Sequence, residues 1–202
     1  MKKNIVLVGI ILILIGIGLF VYREMAYQKL DAKRINIHDI TGSGAKIEKA
    51  NVYLNASFIA NPLAKIQSDE KNSYYVVFGD DVQYIVYLNN KKASEISNYL
   101  LDNPTSTYKI VGKTKFIKED LESYGIEFVK KWLDANHDHT DIKEEHSHEI
   151  TKEEFYEYFG YVYLDATISK YSDFKVLTII LYVLFGIGLS IILSKVYVKF
   201  AN

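Results

Sequence analysis

Residues 5–22 read IVLVGIILILIGIGLFVY, a run without a charged side chain. In a helix rising about 1.5 Å per residue, about 18 apolar residues span the roughly 30 Å hydrocarbon core of a bilayer. Lys2 and Lys3 precede the run, as they would in a signal peptide. The run is longer than a signal-peptide core, however, and no small-residue cleavage site follows it. The stretch therefore predicts an uncleaved transmembrane helix.

A second uncharged stretch, VLTIILYVLFGIGLSIILS, occupies residues 176–194. It lies far from the amino terminus, which excludes a signal peptide. A core helix of a soluble protein would carry polar residues along one face, whereas the polar groups of this run are hydroxyls. A second transmembrane helix is therefore predicted.

The charges around these runs predict the orientation of the chain. Lys2 and Lys3 precede the first run, Lys195 and Lys199 follow the second, and neither tail carries an acid. Basic residues accumulate on the cytoplasmic side of membrane proteins. Both tails are therefore expected in the cytoplasm and the central part outside. The predicted segments are a tail (1–4), a transmembrane helix (5–22), an extracytoplasmic domain (23–175), a transmembrane helix (176–194) and a tail (195–202).

Small residues recur along both predicted membrane helices. Gly186, Ser190 and Ser194 are spaced by four, and Gly9 and Gly16 by seven, so each set lies on one helix face. Small side chains let two helices approach closely. The faces predict that the helices pack against each other or against a partner subunit, including a second copy of the chain. Chance spacing is the alternative, because glycine and serine are common in membrane helices.

Charge and cysteine content exclude several kinds of site. All 25 acidic residues lie within residues 24–173, whereas six of the 24 basic residues lie outside, so this segment has a net charge of −7. Such a domain is not expected to bind nucleic acid or anionic headgroups through bulk charge, and binding through a local basic patch is the alternative. Cysteine is absent, which excludes disulfides, thiol nucleophiles and cysteine-ligated zinc.

Hydrophobic periodicity predicts an α+β domain between the two membrane helices. Strands are predicted at residues 35–40, 50–60, 74–78, 82–88, 108–117 and 161–168, and helices at 91–101, 118–135 and 152–159. Thr151 and Glu154 form a capping box before the last helix, and Gly112 is expected to mark a β-bulge. The irregular order favours a mainly antiparallel sheet or small open barrel with about three helices.

One histidine-rich stretch, NHDHTDIKEEHSHE at residues 136–149, could carry chemistry. His137, His139, His146 and His148 form two His-x-His pairs among acidic residues. Imidazole and carboxylate ligate divalent metals such as zinc, copper and manganese, and such histidines titrate near neutral pH. The favoured interpretation is a solvated acidic loop, with weak divalent-metal binding and pH response as alternatives.

The sequence predicts no catalytic residue and no other cofactor. It contains no Gly-x-Ser-x-Gly elbow, phosphate-binding glycine loop, His-Glu-x-x-His pair or dinucleotide fingerprint. A binding role is therefore favoured over an enzymatic one.

Residues 109–117, KIVGKTKFI, and 153–166, EEFYEYFGYVYLDA, lie in a chain whose layout resembles uncharacterised two-pass membrane proteins of Gram-positive bacteria with one extracytoplasmic domain. The resemblance implies a location at the cell membrane and transfers no catalytic residue. The leading hypothesis is an accessory or interaction module for a membrane or envelope protein. A metal- or pH-sensing domain and an envelope-acting hydrolase are the alternatives.

Overall fold

A computed structural model describes residues 2–65, 69–79, 82–136, 150–168 and 172–200. The chain divides into two compact units. One is a pair of long helices from the two ends of the chain, and the other is a folded domain, Arg34–Ile168.

The helix pair consists of α1 (Lys2–Asp31) and α6 (Lys175–Phe200). Both helices are long and apolar enough to cross a membrane. Only 11% of the apolar stretch of each helix is buried within the structure. The core helix of a soluble protein would be mostly buried. Helix α1 continues past the predicted apolar segment and ends at Asp31.

The strands of the domain are β1 (Ile35–Asn36), β2 (Asn51–Ala56), β3 (Phe58–Lys65), β4 (Asn72–Gly79), β5 (Val82–Asn89), β6 (Tyr108–Phe116) and β7 (Val162–Asp165). Its helices are α2 (Ile37–Thr41), α3 (Asn90–Asp102), α4 (Glu119–Asn136) and α5 (Lys152–Phe159). Within the described ranges, the seven strands form one open sheet in the order β1-β2-β6-β7-β5-β4-β3. The β1–β2 and β5–β7 pairs are parallel, and the others are antiparallel.

The α+β class is confirmed. Among the described residues four of the six strand pairs are antiparallel, which matches a mainly antiparallel sheet, and the sheet is open. The domain has four α-helices where about three were predicted. The additional helix is α2, which replaces most of the strand expected at residues 35–40. The Asn36 side chain accepts a hydrogen bond from the backbone N–H of His38 at 3.1 Å and caps this helix.

The strand expected at residues 50–60 is two strands, β2 and β3, separated at Ser57. Strand β3 continues through Pro62, where its register against β4 shifts. Proline lacks a backbone N–H, but it is tolerated here because β3 is an edge strand.

Apolar side chains cover both faces of the sheet. One face packs under α2 and α3, whose Ile37, Ile40 and Ile96 are buried with Val52 and Leu54 of β2. The opposite face packs under α4 and α5, where Phe155 and Phe159 are buried against Val76 and Ile85. The domain is therefore a three-layer structure with its central strands buried on both sides.

Gly112 does not form the expected bulge. It pairs in regular register with Val52, and a Cβ at this position would overlap the Asp165 carbonyl oxygen of β7. The glycine is thus required by the close approach of two backbones.

We expect Gly112→Ala to destabilise the domain by about 1–3 kcal/mol, because the added methyl group would overlap the backbone carbonyl group of Asp165. Denaturant unfolding of the full-length protein in detergent, followed by the fluorescence of its single tryptophan, Trp132, would measure the change. The exposed Lys118→Ala substitution is the control. Equal midpoints for both variants would contradict the close contact.

Candidate functional site

Three tyrosines lie side by side on the face of the sheet that α4 and α5 cover. The Tyr74 ring centroid lies 4.7 Å from that of Tyr87 and 5.3 Å from that of Tyr163. The Tyr87 hydroxyl donates a hydrogen bond to the Asp69 carboxylate at 2.6 Å. Burial raises the pKa of both Tyr87 and Tyr163 above the usual range, so these phenols stay neutral near pH 7.

Asp165 ends β7 beside these tyrosines and is only 2% exposed. Its Oδ2 lies 2.5 Å from Lys115 Nζ, and its Oδ1 accepts hydrogen bonds from the Thr167 hydroxyl at 2.6 Å and the Thr167 N–H at 3.0 Å. Both oxygens of this carboxylate are therefore engaged within the domain. The arrangement secures the end of β7.

A second buried carboxylate, Glu122 of α4, connects α4 to α5. Its Oε1 lies 2.7 Å from Lys152 Nζ, and its Oε2 accepts a hydrogen bond from the Tyr156 hydroxyl at 2.6 Å. The hydrogen bonds from Lys152 and Tyr156 lower the pKa of Glu122, while burial and this carboxylate raise the pKa of Tyr156 to about 12. The pair of bonds holds the two helices together as long as Glu122 is ionised.

We expect Tyr156→Phe to destabilise the domain by about 1–2 kcal/mol at neutral pH, because a buried carboxylate loses a donor. The Glu122 pKa is lower in the folded state than its usual value of 4.5. The stability that this ionised group contributes is therefore present above pH 4.5 and lost as pH falls through the folded pKa. The difference between wild type and variant should shrink over the same range.

Unfolding midpoints of the two proteins between pH 3 and pH 8 would test this expectation. Tyr158→Phe, two residues along the same helix and exposed, is the matched control. A wild-type to Tyr156→Phe difference that does not change with pH would contradict the role of the Glu122 charge.

An apolar groove of about 210 Å³ lies between α3 and the start of β3. Its lining residues are Ser57, Phe58, Ile59, Ser97, Leu100, Leu101 and Pro104. Ile59 and Leu100 are buried, whereas Phe58 and Leu101 are 52% and 70% exposed. The described residues around the groove contribute no carboxylate, imidazole or ammonium group, so its chemistry suits binding an apolar group.

The alternative that the domain is an envelope-acting hydrolase stays a prediction.

The four histidines proposed as metal ligands, His137, His139, His146 and His148, lie outside the described residues, and metal binding by them stays a prediction. The fifth histidine, His38 of α2, has its Nδ1 3.0 Å from the Tyr84 hydroxyl. Across the part of the chain that the structure describes, no group of three or more His, Asp or Glu side chains is placed to hold a metal ion.

Gly9 and Gly16 lie where α1 packs against α6. A Cβ on Gly9 would be 3.1 Å from the Gly188 carbonyl oxygen, and one on Gly16 would be 3.3 Å from the Phe185 ring. Gly188 was not among the predicted packing residues. A Cβ on Gly188 would lie 2.9 Å from the Ile13 side chain. The absence of side chains at these positions lets the two helices approach closely.

The predicted small-residue face of α6 lies elsewhere. A Cβ on Gly186 would have no described atom within 4 Å, and Ser190 and Ser194 are exposed. Gly186 therefore lies outside the close contact with α1. That this face receives a helix from a partner subunit stays a prediction.

Arg23 adds a polar contact to the helix pair, and sequence reasoning missed it. The side chain is buried, its Nη1 donates to the Thr178 hydroxyl at 3.3 Å, and its Nη2 donates to Glu24 at 3.2 Å. The guanidinium carbon lies 5.1 Å from the centroid of the Phe20 ring. An arginine just beyond an uncharged run, with a hydroxyl in the opposite run, is the signal that could have suggested this contact.

No protein-family model, curated protein or solved structure matches this chain. Its resemblance to two-pass membrane proteins of Gram-positive bacteria therefore rests on layout and stays a prediction.

Because the chain has no cysteine, a cysteine pair can report the helix contact directly. We expect Ile13→Cys with Gly188→Cys to form an intramolecular disulfide under mild oxidation in membranes, since a Cβ on Gly188 would lie 2.9 Å from the Ile13 side chain. Faster migration on a non-reducing gel would show it. Ile13→Cys with Gly186→Cys is the control, because Gly186 faces away from α1. Equal cross-linking of both pairs would contradict the packing.

Proposed function

We propose that α1 and α6 anchor this chain in the cell membrane. We further propose that the domain lies on the extracytoplasmic side and acts as an accessory or interaction module for a membrane or envelope protein. The observation that carries the proposal is the helix pair, formed by two long apolar helices from opposite ends of the chain, with the folded domain between them in sequence.

The surface of the helix pair supports membrane anchoring. Large apolar side chains such as Leu7, Leu14, Val176 and Leu193 are each more than half exposed. Burying apolar surface is worth about 25 cal/mol per Å², so such a surface is unfavourable in water and suited to lipid. The glycine contacts between α1 and α6 use packing, the interaction that remains available to helices within a bilayer.

The tail charges support the orientation. Lys2 and Lys3 precede the apolar run of α1 in the sequence, Lys195 and Lys199 follow that of α6, and neither tail carries an acidic residue. Retention of short basic tails in the cytoplasm then leaves the acidic domain outside.

The chemistry of the domain supports an interaction role. Its buried carboxylates, Glu122 and Asp165, are engaged by lysine and hydroxyl groups. The groove between α3 and β3 instead presents exposed apolar side chains, Phe58 and Leu101, to solvent. Exposed apolar side chains beside a groove are suited to contact with a partner.

Single cysteines would test the anchoring and the orientation, since the chain has none of its own. Glu70→Cys in the domain and Tyr197→Cys near the end of α6 both place the thiol at an exposed position. In intact cells, a membrane-impermeant maleimide should label Glu70→Cys alone, and permeabilisation should expose Tyr197→Cys. The reverse pattern would overturn the orientation, and release of the protein from membranes by alkaline carbonate would overturn the anchoring.

A further inference from the structure

The half of the sheet formed by β1, β2 and β6 is basic, although the domain as a whole is acidic. Residues 34–56 and 108–118, which contain these strands, carry seven basic and two acidic side chains, a net charge of +5. The rest of residues 24–173 carries 11 basic and 23 acidic side chains, a net charge of −12. The charge of the domain is therefore strongly unequal, and β1, β2 and β6 themselves contain no acidic residue.

The lysines of β6 share one face of the sheet. Residues 109, 111, 113 and 115 are Lys, Val, Lys and Lys, and alternate residues of a strand point to the same face. Beside them, β2 pairs Asn55 with Lys109 and Tyr53 with Val111. The side chains of this surface are exposed or half-buried. We call it the lysine face, and its members are Tyr53, Asn55, Lys109, Val111, Lys113 and Lys115.

Among the described residues, the lysine face belongs to neither hydrophobic core. Helix α2 packs on the opposite face of β2, where Ile37 and Ile40 are buried with Val52. The core beneath α4 and α5 takes its strand residues from β3, β4, β5 and β7. On the lysine face, Lys115 pairs with the buried Asp165, and Lys109 Nζ lies 5.0 Å from the centroid of the Tyr53 ring. The lysine face is therefore a charged surface of the domain.

The lysine face lies between the two strands through which the chain connects to the apolar helices. In the order β1-β2-β6-β7, strand β1 is the first after α1 and β7 is the last before α6. Residues 32 and 33 separate the end of α1 from Arg34, whose Nη1 donates a hydrogen bond to the Gly112 carbonyl oxygen of β6 at 3.2 Å. A covalent tether raises the effective concentration of whatever it joins. The membrane proposed to hold α1 and α6 is thus kept available to this half of the sheet.

We propose that the lysine face binds anionic lipid headgroups of the membrane that holds α1 and α6. Lysine ammonium groups donate hydrogen bonds to lipid phosphate oxygens, and basic clusters next to membrane helices are attracted to anionic lipid. Tyr53 adds an aromatic ring with a polar tip, a side chain that is common at the membrane–water interface. This inference rests on the proposed membrane anchoring.

The net negative charge of the domain is compatible with this binding. Salt limits interactions between exposed charges to about 10 Å at 0.1 M ionic strength, so nearby lysines outweigh more distant acids. The acidic remainder of the domain is repelled by an anionic surface. The unequal charge therefore selects the lysine face as the side that turns toward the lipid.

Fluorescence quenching in the full-length protein tests the inference. A fluorophore is attached to a single cysteine at Asn55 on the lysine face, or at the exposed Asn98 of α3, which packs on the opposite face of the sheet. The protein is reconstituted in phosphatidylcholine vesicles with or without phosphatidylglycerol, and a nitroxide-labelled headgroup is the quencher. With phosphatidylglycerol we expect quenching about threefold stronger at position 55 than at position 98. High salt or removal of phosphatidylglycerol should abolish the difference.

A matched pair of double substitutions identifies the groups that bind. Lys109→Gln with Lys113→Gln removes two charges from the lysine face and should lower quenching at position 55 about threefold in the anionic vesicles. Lys91→Gln with Lys130→Gln removes two charges from exposed positions elsewhere and should leave quenching unchanged. Equal unfolding midpoints would show that both variants are folded. If the first variant does not fold, the comparison of the two lipid compositions still decides the inference.

Other outcomes overturn the inference in distinguishable ways. Equal quenching with and without phosphatidylglycerol, or stronger quenching at position 98, removes lipid binding by the lysine face. If that protein still resists extraction by alkaline carbonate, the proposed anchoring stands. Release by carbonate removes the anchoring and the inference together. If soluble polyphosphate slows amide hydrogen exchange at residues 109–115 and phosphatidylglycerol does not, the lysine face binds a soluble polyanion instead of lipid.

Discussion

The folded domain depends on the insertion of a short strand, β7, into the middle of the sheet. Strand β7 pairs antiparallel with β6 and parallel with β5, and all four of its residues are buried. In the described structure it joins the β1-β2-β6 half of the sheet to the β5-β4-β3 half. Since β7 is the last strand of the domain, the sheet is complete only when distant parts of the chain have met.

Several side chains around β7 serve this insertion. Gly112 lets β6 approach the Asp165 backbone, and Lys115 compensates the buried Asp165 charge. Tyr163 packs edge-on against Tyr74, and its raised pKa keeps the phenol neutral inside the core. Asp165 and Tyr163 therefore both contribute to holding the central strand in place.

Elements with strong local signals were predictable. Strands β4 and β5, helices α3 and α4, and the capping box of α5 with Thr151 and Glu154 all form as predicted. The segment at residues 35–40 was not predictable from alternation, because Asn36 caps a helix there and Ile37 and Ile40 are buried on one helix face. The groove could not be predicted either, because residues 57–59 and 97–104 meet only when α3 packs beside β3.

The sequence by itself determined two long apolar segments, an acidic α+β domain between them, and the absence of cysteine chemistry. These follow from composition and local periodicity, which do not depend on the fold. Tertiary structure alone decided that Gly9, Gly16 and Gly188 lie in the helix contact while Gly186 faces away from α1. It also decided which carboxylates pair with lysine, and it formed the groove between α3 and β3. Both features depend on contacts between residues distant in the chain.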